Sequence, residues 1–84
     1  MSGNPIEIEL LTRPGCHLCE EMKQVLEEAA KGLSIDLKEI DIANDPALAK
    51  RYGEEIPVLF INGSKAFKHR AKVADLRERL RRET

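Results

Sequence analysis

Two cysteines three positions apart, Cys16 and Cys19, stand between two stretches with different apolar patterns, and this placement restricts the fold more than any other feature. Before them, Ile6, Ile8 and Leu10 alternate with other residues, and this period of two predicts a β-strand. From position 16 to about 31, apolar residues recur every three or four positions, which predicts an amphipathic helix. Both thiols therefore lie on one side of the first helical turn, close enough to form a small disulfide ring.

The rest of the chain predicts three further strands and two further helices. We expect strands at 33–40, 56–61 and 64–68, and helices at 46–52 and 72–82. The first strand–helix–strand unit predicts a parallel pair of strands, with the polar strand 33–40 at an edge. Strand 56–61 is continuously apolar and therefore central, and Asn62-Gly63 predicts a hairpin to an antiparallel strand. This order indicates an α/β protein with a four-stranded mixed sheet flanked by helices.

The length, charge and composition exclude several classes of function. The 84 residues suffice for one domain, 1–84, and the net charge of -1 gives no reason to expect nucleic-acid binding. No apolar run is long enough to span a membrane or to form a signal peptide, so we expect a cytoplasmic protein. We also expect it to act as a monomer. Cysteines spaced this closely restrain too little of the unfolded chain to act as a disulfide scaffold.

The position of the cysteines indicates redox chemistry. Cys16 would face the unsatisfied N–H groups and the positive dipole end of the helix, which favour a thiolate over a thiol. In such settings the ordinary thiol pKa of about 8.5 falls to roughly 3.5 to 7.5. Cys16 is therefore the candidate nucleophile. Cys19, one turn into the helix and more shielded, is the candidate resolving thiol.

The element order and four short motifs resemble a known family. The motifs are Arg13-Pro14-Gly15-Cys16, Cys16-His17-Leu18-Cys19, Ile56-Pro57 and Phe67-Lys68-His69-Arg70. Together they resemble the glutaredoxin branch of the thioredoxin fold, and most closely the small glutaredoxin-like proteins. The resemblance implies the order βαβαββα and a thiol–disulfide oxidoreductase that acts on protein or low-molecular-weight disulfides.

The same resemblance implies a substrate site around Cys16. It places Pro57 beside Cys16 with a cis peptide bond, and it leaves the backbone of Ile56 free to pair with an extended thiol substrate. Arg13 stands at the usual basic position for the glycyl side of glutathione. The chain departs from the family where Lys68-His69-Arg70 replaces a Gly-Gly turn and its acidic residue. No bound cofactor is expected, and glutathione or a dithiol reductase would be the electron donor.

The residues also allow other interpretations. The two cysteines could be small buried apolar residues, or they could bind a metal ion or an iron–sulfur cluster, with His17 or His69 as further ligands or with a cluster shared between two chains. His17 is either a surface residue or a cation that stabilises the Cys16 thiolate. Arg13 and Arg70 are either ordinary surface charges or parts of the site.

Overall fold

The computed structural model describes residues 4–83, so the first three residues and Thr84 of the predicted domain lie outside the described residues. The strands are β1 Ile6–Thr12, β2 Ile35–Asp41, β3 Val58–Ile61 and β4 Ser64–Lys68, and the helices are α1 His17–Ala29, α2 Pro46–Tyr52 and α3 Val73–Arg82. A short 3-10 turn, Ile42–Asn44, precedes α2. The predicted order βαβαββα is confirmed. Within residues 4–83, no helix has the length and apolar character needed to cross a bilayer.

The four strands form one mixed sheet in the order β2-β1-β3-β4. β1 and β2 are parallel, whereas β1 with β3 and β3 with β4 are antiparallel. The apolar strand β3 is thus central and the polar strand β2 lies at an edge, as the sequence predicts. Along β2, exposed polar residues alternate with half-buried ones. This pattern suits an edge strand, which has a neighbouring strand on one side only.

Two predicted strands begin two residues late, and hydrogen bonds explain why. Leu33 donates its N–H to the carbonyl of Ala30 at 2.9 Å, so it belongs to the turn after α1, and β2 begins at Ile35. Ile56 donates its N–H to the carbonyl of Tyr52 at 3.2 Å, and Pro57 has no N–H to offer. β3 therefore begins only at Val58.

The core lies mainly on one face of the sheet, under α1 and α3. Its fully buried side chains are Ile8, Leu10, Met22, Leu26, Leu59, Ile61, Leu76 and Leu80. The opposite face has a smaller cluster around Leu11, Ile42 and Val58, covered by α2 and the 3-10 turn. Glu7 is exposed and Glu9 is half-buried on this thinly covered face, as the sequence pattern requires.

Asn62 forms hydrogen bonds to two other parts of the chain at the end of the sheet that lies away from the cysteines. It adopts φ 49° in the turn between β3 and β4, and its backbone N–H donates to the carbonyl of Glu7 at 2.7 Å. Its Oδ1 accepts the N–H of Glu7 at 3.0 Å, and its Nδ2 donates to Oε1 of Glu83 at 2.7 Å. One side chain therefore connects the start of β1, the hairpin and the end of α3.

Candidate active site

Cys16 and Cys19 form a disulfide at the start of α1, with their Cα atoms 5.2 Å apart. Cys16 is the N-cap of the helix and is partly exposed. Cys19 lies within the first turn and is 2% exposed. Gly15 adopts φ +77° just before them, and a glycine tolerates this value where the chain turns from β1 into α1. The sulfur that a reactant can reach is therefore that of Cys16.

The helix start provides a polar environment for the Cys16 sulfur. The backbone N–H of Cys19 donates to Sγ of Cys16 at 3.2 Å, in the way that an N–H of the first turn donates to a serine or aspartate N-cap. Once the disulfide is reduced, this N–H and the helix dipole both favour a negative charge on Sγ. This geometry lowers the expected pKa of the Cys16 thiol, because only Cys16 occupies the cap.

The loop that contains Ile56 and Pro57 lies at the same end of the sheet as the thiols. Leu11 pairs with Val58, so the next residues toward this end are Thr12, which leads to the cysteines, and Pro57. The Ile56–Pro57 peptide bond is cis, as the resemblance implies, and Pro57 is buried. The expectation that the backbone of Ile56 is free needs correction, because its N–H already donates to Tyr52 in an extra turn at the end of α2.

Two side chains from separate parts of the chain hold this loop. Nη2 of Arg13 donates to the carbonyl of Gly53 at 2.6 Å, although the resemblance assigns Arg13 to the glycyl side of glutathione. Nε2 of His69 lies 3.1 Å from the carbonyl oxygen of Glu54, and the backbone N–H of His69 donates to the carbonyl of Pro57 at 2.8 Å. The loop contacts of Arg13 and His69 are absent from the sequence-based predictions.

Glu21 connects His17 with Arg70. Its Oε2 lies 3.2 Å from Nε2 of His17, and its Oε1 lies 3.8 Å from Nη1 of Arg70. The side chain of His17 is 90% exposed, as expected for its place in the first turn, and that of Arg70 is 75% exposed. The sequence-based predictions omitted Glu21, although its four-residue spacing from His17 is a signal for such a pair.

A groove of about 480 Å³ opens between α1 and the turn that follows β4. Met22, Val25 and Phe67 provide apolar lining, and Glu21 and Arg70 add charges. Met22 is one helical turn beyond Cys19, so the groove begins close to the redox pair. The sequence-based predictions included Arg70 at this place but not the groove.

The two histidines that the metal hypothesis would use make other contacts in this chain. The His17 ring pairs with Glu21, and the His69 ring contacts the carbonyl of Glu54. In the part of the chain from residue 4 to residue 83, no three His, Cys, Asp or Glu side chains come together as a metal site would require. The hypothesis of a cluster shared between two chains concerns an assembly, which a single chain does not test.

Comparison with known proteins gives matches over most of the chain. The family model described as a glutaredoxin-like domain (DUF836) matches residues 7–81. A thioredoxin of Methanocaldococcus jannaschii is 34% identical over 65 residues, which cover 74% of this chain and 76% of that protein. An uncharacterized protein of Mycobacterium bovis is 32% identical over 62 residues, covering 68% of this chain. The matched region spans only 64% of that mycobacterial relative's length.

Solved structures show the same architecture. A structural-genomics target protein from X. campestris is 28% identical with a TM-score of 0.77, and the match covers 89% of this chain and 96% of that one. A protein from Nitrosomonas europaea is 27% identical with a TM-score of 0.79, and the match covers 95% and 96% of the two chains. A thioredoxin from Halobacterium salinarum, 20% identical with a TM-score of 0.65, shares the fold.

Proposed function

Because this chain belongs to the glutaredoxin-like domain family of the thioredoxin superfamily, we propose that it is a thiol–disulfide oxidoreductase with Cys16 as nucleophile and Cys19 as resolving thiol. One observation carries this proposal, namely the unequal environment of the two sulfurs. Cys16 is partly exposed, caps α1 and accepts the N–H of residue 19, whereas Cys19 is 2% exposed. A nucleophile that is accessible and favoured as a thiolate, backed by a shielded second thiol, suits disulfide exchange.

The reaction proceeds in two exchanges of sulfur. The Cys16 thiolate attacks one sulfur of a substrate disulfide, so a mixed disulfide forms and the other substrate sulfur leaves as a thiolate that takes up a proton. The Cys19 thiol loses its proton and attacks Sγ of Cys16. This step forms the Cys16–Cys19 disulfide and releases the second substrate thiol, so two electrons pass from the protein to the substrate.

A second dithiol is the electron donor that the residues near the site favour. A glutathione site needs partners for both carboxylates and for the ammonium group of the tripeptide. The turn Lys68-His69-Arg70 adds positive charge where the ammonium would bind, and Arg13 already donates a hydrogen bond to Gly53. A thioredoxin-type dithiol donor needs neither contact, because it presents no tripeptide to be bound and its own second thiol releases the mixed disulfide.

The substrates in this proposal are disulfides of proteins or of small molecules, reduced by a monomer without a bound cofactor. The groove begins one helical turn beyond Cys19, and its apolar lining at Val25 and Phe67 offers a surface for the residues that flank a substrate sulfur. A redox pair that must be returned to the dithiol form suits a reducing compartment, so we assign its activity to the cytoplasm.

The test follows the fate of a model peptide disulfide. With excess dithiol reductant, the wild-type protein should reduce the peptide catalytically, and Cys16→Ser should abolish the reaction. Cys19→Ser that has been reduced and then freed of reductant should instead accumulate a mixed disulfide between Cys16 and the peptide, visible by mass spectrometry. Wild-type rates no higher than those of Cys16→Ser would refute the proposal.

Purification without oxygen distinguishes a redox enzyme from a metal-binding module. Protein purified without oxygen should be colourless and should cycle between dithiol and disulfide. Visible absorption bands with stoichiometric iron, lost in Cys16→Ser, would instead support the cluster hypothesis.

A further inference from the structure

The segment 53–57, which we call the proline loop, is held from two sides. Arg13, in the segment that leads to the thiols, donates to the carbonyl of Gly53 at 2.6 Å. His69, in the turn after β4, reaches the next carbonyl, that of Glu54, at 3.1 Å with its ring nitrogen Nε2. The backbone N–H of His69 also binds the carbonyl of Pro57 at 2.8 Å. His69 therefore contacts both the early and the late part of the loop.

The ring contact of His69 has a defined direction. A backbone carbonyl oxygen can only accept a hydrogen bond, so Nε2 of His69 must be the donor and must carry a hydrogen. This holds for the neutral ring with its hydrogen on Nε2 and also for the charged ring, so both forms make the contact. The ring contacts the carbonyl of Glu54 and also interacts electrostatically with the side chain of Glu55.

The backbone of His69 adopts a conformation that residues with side chains usually avoid. His69 adopts φ 66°, in the left-handed region that glycine enters without cost. A residue with a Cβ is disfavoured there. Such an outlier, when it lies next to a candidate active site, is a reason to look for a role of the side chain.

We propose that His69 is a positioning residue, which acts through Glu54 and Pro57 to hold the proline loop at the place where a substrate disulfide docks against Cys16. This proposal rests on the proposed thiol–disulfide exchange. Arg13 holds the loop from the other neighbouring segment, so the loop is held by one contact from Arg13 and two from His69. His69 does not touch the reacting sulfurs and does not change their reactivity toward small reagents.

Two substitutions of His69 separate this role from others. In His69→Asn, the amide corresponds to the Nδ1 side of the ring and is too short to reach Glu54, while asparagine tolerates positive φ. In His69→Gln, the amide nitrogen takes the place of Nε2 and can donate to the same carbonyl. Loss of one hydrogen bond should raise the KM for a peptide disulfide three- to tenfold in His69→Asn, with kcat within twofold of wild type. His69→Gln should restore the KM.

Two further measurements accompany the kinetics. The rate at which iodoacetamide alkylates Cys16 should be the same in wild type and both variants. The N–H groups of Glu55 and Ile56 both donate to Tyr52, at 2.8 and 3.2 Å, so their hydrogen exchange reports the proline loop directly. Exchange at these two amides should accelerate three- to tenfold in His69→Asn and return toward wild type in His69→Gln.

The outcomes distinguish this inference from the proposed function. If the wild-type protein reduces no peptide disulfide, the proposed function fails, and hydrogen exchange still decides whether His69 holds the loop. If His69→Asn only lowers the unfolding temperature and leaves both KM and loop exchange unchanged, His69 merely stabilises the end of α2 and the inference is wrong. A higher KM that His69→Gln does not restore would also overturn it.

Discussion

The two thiols should differ strongly in acidity, and the structure allows the difference to be estimated. In a Cys19→Ser variant, Cys16 remains the N-cap of α1 and still accepts the N–H of residue 19. A hydrogen bond to a charged group contributes about 1.5–3 kcal/mol, and the helix dipole adds about 0.3–1 kcal/mol. Their sum, about 2–4 kcal/mol, equals roughly 1.3–2.9 pKa units. Because Cys16 is partly exposed, solvent screening favours the smaller values, and its pKa should therefore lie below that of an ordinary thiol.

Alkylation by iodoacetamide between pH 5 and 10 measures this pKa, because only the thiolate reacts. The Cys16→Ser variant isolates Cys19, which is 2% exposed and should react at least about tenfold more slowly at neutral pH. In urea, both variants should react at the same rate with an ordinary thiol pKa, and this is the control. If the alkylation rates of the two thiols in the folded protein had the same midpoint pH, the helix cap would not determine their acidity.

Three other predictions concern the electron donor and the stability of the fold. Oxidised protein should be reduced faster by a thioredoxin-type dithiol than by glutathione, and glutathione rates typical of an ordinary glutaredoxin would contradict our view of the Lys68–Arg70 turn. Asn62→Ala should cost about 1–3 kcal/mol in urea unfolding, because it loses hydrogen bonds at positive φ, and Asn62→Gly should be less harmful. A hydrogen bond from Lys65 lowers the pKa of Glu55, so wild type should exceed Glu55→Gln in stability at neutral pH and lose that advantage as the pH falls below about 4.5.

The sequence predicts the architecture well because each element carries its own local signal. The alternation in β1 and the Asn62-Gly63 turn identify their elements without reference to the rest of the chain. Asp45, directly before Pro46, is a residue type typical of helix caps, and its carboxylate accepts from the N–H groups of Ala47 and Leu48 at the start of α2. α3 begins without a side-chain cap, because the residue at its N-cap is Lys72, which offers no acceptor. Helix starts and hairpin turns depend on neighbouring residues, so a pattern of a few residues suffices.

The hydrogen bonds that hold the proline loop were harder to predict, because they join distant parts of the chain. Arg13 and Gly53 are 40 residues apart, and His69 and Glu54 are 15 apart, so no periodic pattern links them. The sequence identified Arg13 by the usual role of its position in the family, which concerns a ligand and not the protein's own loop. The expectation that the N–H of Ile56 is free was also wrong, because this N–H donates to Tyr52 in a further turn after α2. The sequence around the end of this seven-residue helix does not indicate that turn.

The Asn62 network has a consequence for how this domain can be combined with others. Asn62 binds Glu7 near the start of β1 and Glu83 after α3, so both ends of the described chain lie near the hairpin end of the sheet, opposite Cys16. A tether attached at either end would therefore emerge on the far side from the thiols. A module of this shape can be joined to a longer polypeptide in either order and still present its redox pair to a separate partner.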